Sequence, residues 1–224
     1  MELLQYMFFN SHRILEYTFN HLALVLTVTG IALVLWIPTG LLISRYERFS
    51  GLTMALGNIL FCIPSLSLFG IFMTIPQLGL GRRSAVLALV LYAMMPLVRN
   101  VYRGIKSVDK YVVEAGRGMG MSNREILWQI QLPLAWPVIF AGIRITVVLV
   151  TGIATIATYI GERNLGRLIQ HGITRSNAEM IITGAILVSI LALFLDYLLG
   201  KVEMRLVSPG TRSPEMTKEQ EESF

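Results

Sequence analysis

The sequence predicts an all-α, polytopic membrane protein: five membrane-spanning helices, with a helix-turn-helix insert between the third and the fourth. Three observations carry that expectation. Of the 224 residues, 54% are apolar and only 15% are charged, far from the mix of a soluble domain of this length. The apolar residues gather into runs that reach the roughly 20 helical positions needed to cross a hydrocarbon core of about 30 Å. Between two of those runs lies a charged, helix-patterned stretch at 104–137, GIKSVDKYVVEAGRGMGMSNREILWQIQLPLAWP.

Taken in order, residues 1–19 lack the basic start and small-residue cleavage site of a signal peptide, and they carry Glu2 and Glu16. Tyr6, Phe8, Phe9, Tyr17 and Phe19 suit a short interfacial helix in the headgroup layer. The first span is expected from Leu22 to Ser44, bent near Pro38 and Gly40, and closed by Arg45 and Arg48. The second, Leu52 to Pro76, is interrupted at Pro64 and Ser65, where proline removes a backbone donor in mid-membrane. A glycine turn at 77–83 leads to the third span, Ser84 to Tyr102, which ends with Arg99 and Arg103 able to reach outward. The fourth runs from Leu134 to Ile160, a polar loop covers 161–177, and the fifth span is Met180 to Leu199. The tail at 208–224, with Pro209, Gly210, Pro214 and several glutamates, has the composition of a disordered acidic segment.

The net charge of +5 sits at the ends of apolar runs rather than along one face, so it reports topology and not a nucleic-acid surface. Alternate loops are unequal in Lys and Arg. One side collects Arg45, Arg48, Arg99, Arg103, Lys106, Lys110, Arg117, Arg124, Lys201, Arg205, Arg212 and Lys218; the other has Arg13, Arg82, Arg83, Arg163, Arg167 and Arg175. The first set is the larger and is expected in the cytoplasm, which puts the insert and the C-terminus inside and the N-terminus outside. The single Cys62 excludes a disulfide framework.

Within the insert, Val108, Tyr111, Val112, Ala115 and Met119 form an apolar stripe at helical spacing, and Lys110, Glu114 and Arg117 form the opposite face. Asp109 is placed to cap the helix, and Gly116, Gly118 and Gly120 to weaken and end it. Ser122 and Glu125 make a capping-box pattern for a second helix, striped by Ile126, Leu127 and Ile130 and stopped by Pro133. On periodicity alone, Glu114 reads first as part of a solvated face, paired with Lys110 or Arg117 for about 0.2–0.5 kcal/mol.

The order Glu114, Ala115, Gly116, three residues, Gly120, nine residues, Ile130, any residue, Leu132 and Pro133 resembles the cytoplasmic loop of permease subunits of bacterial ATP-binding-cassette importers. Glycine at 116 stands where that family often has alanine, and it keeps a small residue there. The resemblance covers about residues 20–207. It implies a type I importer permease fold, with a transmembrane permease domain at 20–207 and an ATPase-coupling loop at 104–133 in which these seven residues act. The stretches CIPSLSLFG at 62–70, PLVRNVYRGI at 96–105, GRGMGMS at 116–122 and LPLAWPVIFAGIR at 132–144 are similar to the osmoprotectant permeases, whose solutes are quaternary ammonium compounds such as glycine betaine, carnitine and choline. After the fourth span, this chain has IGERNLG at 160–166 where that subgroup often carries IGxGGLG.

Thr151, Thr155, Thr158 and Glu162 recur along one face of the fourth span. With Pro64 and Ser65 they are candidate translocation-path residues; alternatively, the threonines bond back to their own helix and allow close packing. Asp196 reads as a boundary residue reaching water or Lys201, Arg144 as an arginine reaching the inner surface, and His171 has no companion at metal-ligand spacing.

No GxxxxGK[ST] motif occurs, so no catalytic residue, cofactor or metal is expected in this chain. The resemblance assigns ATP and magnesium to a partner ATPase. It implies a second permease subunit (identical or paralogous), two cytoplasmic ATP-binding subunits and an external solute-binding protein, in a multi-pass assembly of the bacterial inner membrane. Rival readings are the same architecture importing methionine or another amino acid, an ion-driven carrier or channel, and a membrane anchor or sensor. A carrier should show buried acidic relays or internal repeats, and neither is evident.

Overall fold

The computed structural model describes residues 2–206, so the expected tail at 208–224 lies outside them. The described chain is helical throughout: α1 (Glu2–Phe9), α2 (Ser11–Arg45), α3 (Ser50–Cys62), α4 (Ser65–Met73), α5 (Arg82–Lys106), α6 (Lys110–Gly118), α7 (Asn123–Glu125), α8 (Leu132–Ala154), α9 (Gly166–Thr174) and α10 (Ala178–Leu206). A π-helical turn, Ile126–Gln131, joins α7 to α8, and a 3-10 turn, Thr155–Ile160, closes α8.

The centre of the bundle is α5, buried along its length from Ala85 and Leu89 to Val101 and Ile105. It is packed between α2 and α8, with α3 and α4 beside it. Small residues set the spacing. A Cβ on Gly40 would meet Val101 Cβ at 2.6 Å, and one on Gly104 would meet the Ala135 carbonyl oxygen at 3.1 Å, the close approach on which helix association in lipid depends. The Trp36 indole of α2 donates to the Val90 carbonyl of α5 at 2.7 Å.

Two expected elements differ, and the break expected in the second span is present. The first span begins at Ser11 rather than Leu22, because nothing between those residues breaks a helix; hydropathy locates the apolar part of a helix, not its start. The polar loop at 161–177 contains α9. The second span is two helices bent by 91°. The break is where proline demands it: Ile63 is extended at φ −67° and ψ 128°, as the residue before a proline prefers, and the Tyr92 hydroxyl donates to the Ile63 carbonyl.

That bent pair nonetheless crosses. At one end of the bundle, Arg45 and Lys106 line one cavity and Lys106 pairs with Glu47. At the other end, the Gly81 amide donates to the Ile160 carbonyl at 2.8 Å and Arg82 lies 3.6 Å from Glu162. Residues 46–81 therefore carry the chain from end to end, and α2, α3–α4, α5, α8 and α10 make five crossings.

Candidate functional site

The 107–131 loop is built by its caps. The Asp109 carboxylate accepts from the Tyr111 amide at 2.9 Å and starts α6. Gly120, at φ +85°, turns the chain in a left-handed conformation that costs other residues about 1–2 kcal/mol. Ser122 and Glu125 then form a reciprocal capping box, with the Ser122 amide donating to Glu125 at 2.7 Å. All three devices match the expectation. Gly116 has a different task. It is buried inside α6, and a Cβ there would meet Ile130 Cδ1 at 2.8 Å, so its small size lets the two arms close. Gly118 faces open space.

The expected apolar stripe points outward except at Val108, which is half-buried against the core. Tyr111 is 80% exposed and Met119 74%, with Val112, Glu114 and Ala115 also exposed. The inward side is Gly116 with half-buried Val113, against buried Ile126 and half-buried Ile130 and Leu132. Periodicity finds a face, but it cannot say whether that face meets its own chain or another. Glu114 forms no ion pair or hydrogen bond among the described residues, so pairing with Lys110 or Arg117 does not account for it. The helix does not stop at Pro133, which instead occupies the first turn of α8. The π turn lies immediately before it, where a proline ring in a regular α-helix would strike the carbonyl four residues back. Pro133 is exposed, and the loop, α8 and its 3-10 end form one long span from Asn123 to Ile160.

Of the path candidates, Pro64 is exposed and Ser65 is half-buried at the bend. Thr151 is fully buried, bonds back to the Val147 carbonyl at 2.7 Å, and offers its own carbonyl to His21 Nε2 at 3.0 Å. Thr155 donates to the Gly152 carbonyl, whereas Thr158 donates to Gln170 of α9 at 3.0 Å. Glu162 is buried in the turn that follows Ile160; burial raises its carboxyl above the ordinary range, and Arg82 opposes that shift.

One constellation was not expected. Arg144 of α8 grips Asp196 of α10 through two nitrogens, each at 2.8 Å, and reaches buried Glu203 at 3.2 Å. Asp196 therefore meets Arg144 and not Lys201, whose ammonium lies 4.7 Å from the centre of the Tyr197 ring, and Arg144, still partly exposed, crosses to α10. The available signal was Asp196 and Glu203 one heptad apart on one helix face.

The arrangement offers a projecting helix, α6, with an uncovered apolar face on a close-packed five-crossing bundle. Solved structures share this fold. Against a structure of the MetNI methionine ABC transporter in an inward facing conformation, the TM-score is 0.77 at 21% identity, covering 89% of this chain and 98% of that one. For an amino acid ABC transporter with histidines, it is 0.74 at 18% identity, covering 90% and 97%. Sequence relatives are nearer. A carnitine transport permease protein, OpuCB of Listeria monocytogenes, is 37% identical over 91% of this chain and 92% of its own length. The osmoprotectant import permease protein OsmW of Salmonella typhimurium is 37% identical over 95% and 100%, and the choline transport system permease protein OpuBB of Bacillus subtilis is 36% identical over 93% and 95%. Residues 36–212 match the family described as the inner membrane component of binding-protein-dependent transport systems. The chain belongs to that family, as a membrane-spanning, non-catalytic permease subunit with the type I importer fold.

Proposed function

We propose that this permease passes a quaternary ammonium osmoprotectant, such as glycine betaine, carnitine or choline, into the cytoplasm. The observation that carries the substrate class is the group of relatives named for carnitine, osmoprotectants and choline, each 36–37% identical over more than 90% of this chain. The methionine and amino acid transporters are only 18–21% identical, and their likeness speaks for fold alone.

In this reading, two permease subunits, identical or paralogous, form the path with two cytoplasmic ATP-binding subunits and an external solute-binding protein. ATP and magnesium reside on the ATPase. The exposed face of α6, with Tyr111, Glu114 and Met119, docks in the ATPase, while Gly116, Gly120, Ile130, Leu132 and Pro133 hold the lever that passes its motion to α8. Pro64 and Ser65 at the bend, with Thr151, Thr155 and Thr158 on the fourth crossing, border the translocation path. The large uncovered apolar side chains on α6 support the docking role, since such a patch is characteristic of an interface.

The test is uptake of radiolabelled glycine betaine, carnitine and choline into proteoliposomes holding the permease, its ATPase and its binding protein. Uptake is expected to require lumenal ATP and to be unaffected by excess methionine. Uptake that survives ATP depletion and collapses with a proton gradient would overturn the reading in favour of an ion-driven carrier.

A further inference from the structure

At the end of the bundle remote from the 107–131 loop, α1, the start of α2, and α9 with its flanks enclose a cavity of about 330 Å³ lined by Arg13, Arg163, Arg167 and Arg175, near the lower end of small-ligand sites. Four guanidiniums around one space repel each other, and none is in an ion pair among the described residues. Glu16, the one carboxylate in the lining, is unpaired too. Arg167 Nε is shut off from solvent and has no acceptor, although buried donors are ordinarily satisfied. His171, in the same lining, is held below its ordinary pKa first by burial and then by Arg167 and Arg175. The field in the cavity is positive, and its lining suits an anion.

The depth of the cavity selects the kind of anion. Tyr17 and Arg13 of the lining lie about 8 and 14 Å beyond Leu22 along α2 at 1.5 Å per residue, and less along the membrane normal once the helix tilts. The headgroup layer is roughly 5–8 Å deep on each side of the hydrocarbon, so Tyr17 lies within it and Arg13, in the same lining, borders it from the water side. The same segment leaves Phe8 78%, Phe9 75% and Phe19 71% exposed, an apolar surface of the kind that lies against acyl chains at a membrane boundary. We propose that this cavity binds the phosphodiester headgroup of an anionic phospholipid, its arginines holding the phosphate oxygens while the acyl chains run along the exposed phenylalanines. Guanidinium forks match phosphate oxygens in pairs, and a surplus of arginine over carboxylate disfavours a headgroup that carries its own ammonium.

The test uses the full-length chain in neutral detergent, titrated with phosphatidylglycerol, phosphatidylcholine or inorganic phosphate. Retained lipid is counted by native mass spectrometry, and the unfolding midpoint is followed. Phosphatidylglycerol is expected to bind and to raise the midpoint, and the other two are not. Arg163 and Arg175 are exposed, so Arg163→Gln/Arg175→Gln should fold normally. Binding is expected to weaken about thirtyfold, or about fivefold per arginine, with Arg175→Gln alone giving the single step. Arg83→Gln, at the same end but outside the lining, should leave binding unchanged. Unaltered phosphatidylglycerol affinity in the double variant overturns the site. Equal binding of phosphatidylcholine, or a match by inorganic phosphate, overturns the anionic-lipid assignment. So does an absence of lipid binding together with loss of solute-binding-protein capture by the double variant, which would make the cluster a protein-docking face.

Discussion

Arg144 holds two acids of another helix, and its removal would strand the more deeply buried one. Glu203 has a side chain only 5% exposed, whereas Arg144 and Asp196 are 36% and 32% exposed. Breaking a fully buried pair costs about 3–5 kcal/mol. Partial solvent screening reduces that for Arg144→Ala to about 1–3 kcal/mol. The unfolding midpoint in detergent should fall by about 2–4 °C per kcal/mol for a chain of this size. Arg144→Lys should recover only part of the loss, because an ammonium cannot form the two-pronged contact with Asp196; an Arg144→Ala midpoint equal to wild type would show that the network contributes nothing to stability. At this scale the legible residues were those whose partners are close in sequence. Asp109 with Tyr111, and Ser122 with Glu125, follow from local backbone geometry. Arg144 and Asp196 are 52 residues apart, and only the packing of α8 on α10 brings them together.

At the scale of the element, the insert was legible in its caps and glycines but not in its direction of burial. Val112 and Val113 are adjacent, so α6 has two faces that can be called apolar. Closing on Ile130 through Gly116 commits Val113 to the inside and leaves Tyr111, Val112 and Met119 for a partner. Pro133 misled for a related reason. Proline ends an isolated helix, but a π turn on the preceding residues lets α8 continue, joining the loop mechanically to the membrane. With α6 as the proposed ATPase contact, Gly120 is a position at which coupling would be altered without disturbing the bundle. A Cβ there meets nothing within 4 Å, so the cost of a substitution is the local strain of φ +85°, about 1–2 kcal/mol. Gly120→Glu should leave the permease and ATPase assembled while ATP hydrolysis continues with little uptake. Gly120→Ala shares the strain but not the charge, and should couple better. Wild-type uptake by Gly120→Glu in proteoliposomes would count against α6 as the lever.

At the scale of the whole molecule, the number of crossings depends on α3 and α4. Hydropathy marks 52–76 as apolar enough to span, but a 91° bend also suits a re-entrant loop, which would return residue 81 to the side it left. Anchors at the two ends decide between these. Glu47 pairs with Lys106 at the end of α5, while the Gly81 amide is fixed to Ile160 at the far end of α8, so the chain has crossed between them. The consequence is a parity that labelling can read. In a Cys62→Ser background, Ser11→Cys marks the start of α2, Arg124→Cys the loop and Lys201→Cys the end of α10; all three positions are exposed. With five crossings and the greater share of Lys and Arg inside, a membrane-impermeant maleimide applied to intact cells should modify the cysteine at 11 only. Those at 124 and 201 should react only after the membrane is opened. If the bent pair were re-entrant, the cysteines at 11 and 124 would be modified from the same side. Modification of both in intact cells would place the loop beyond the reach of any cytoplasmic ATPase.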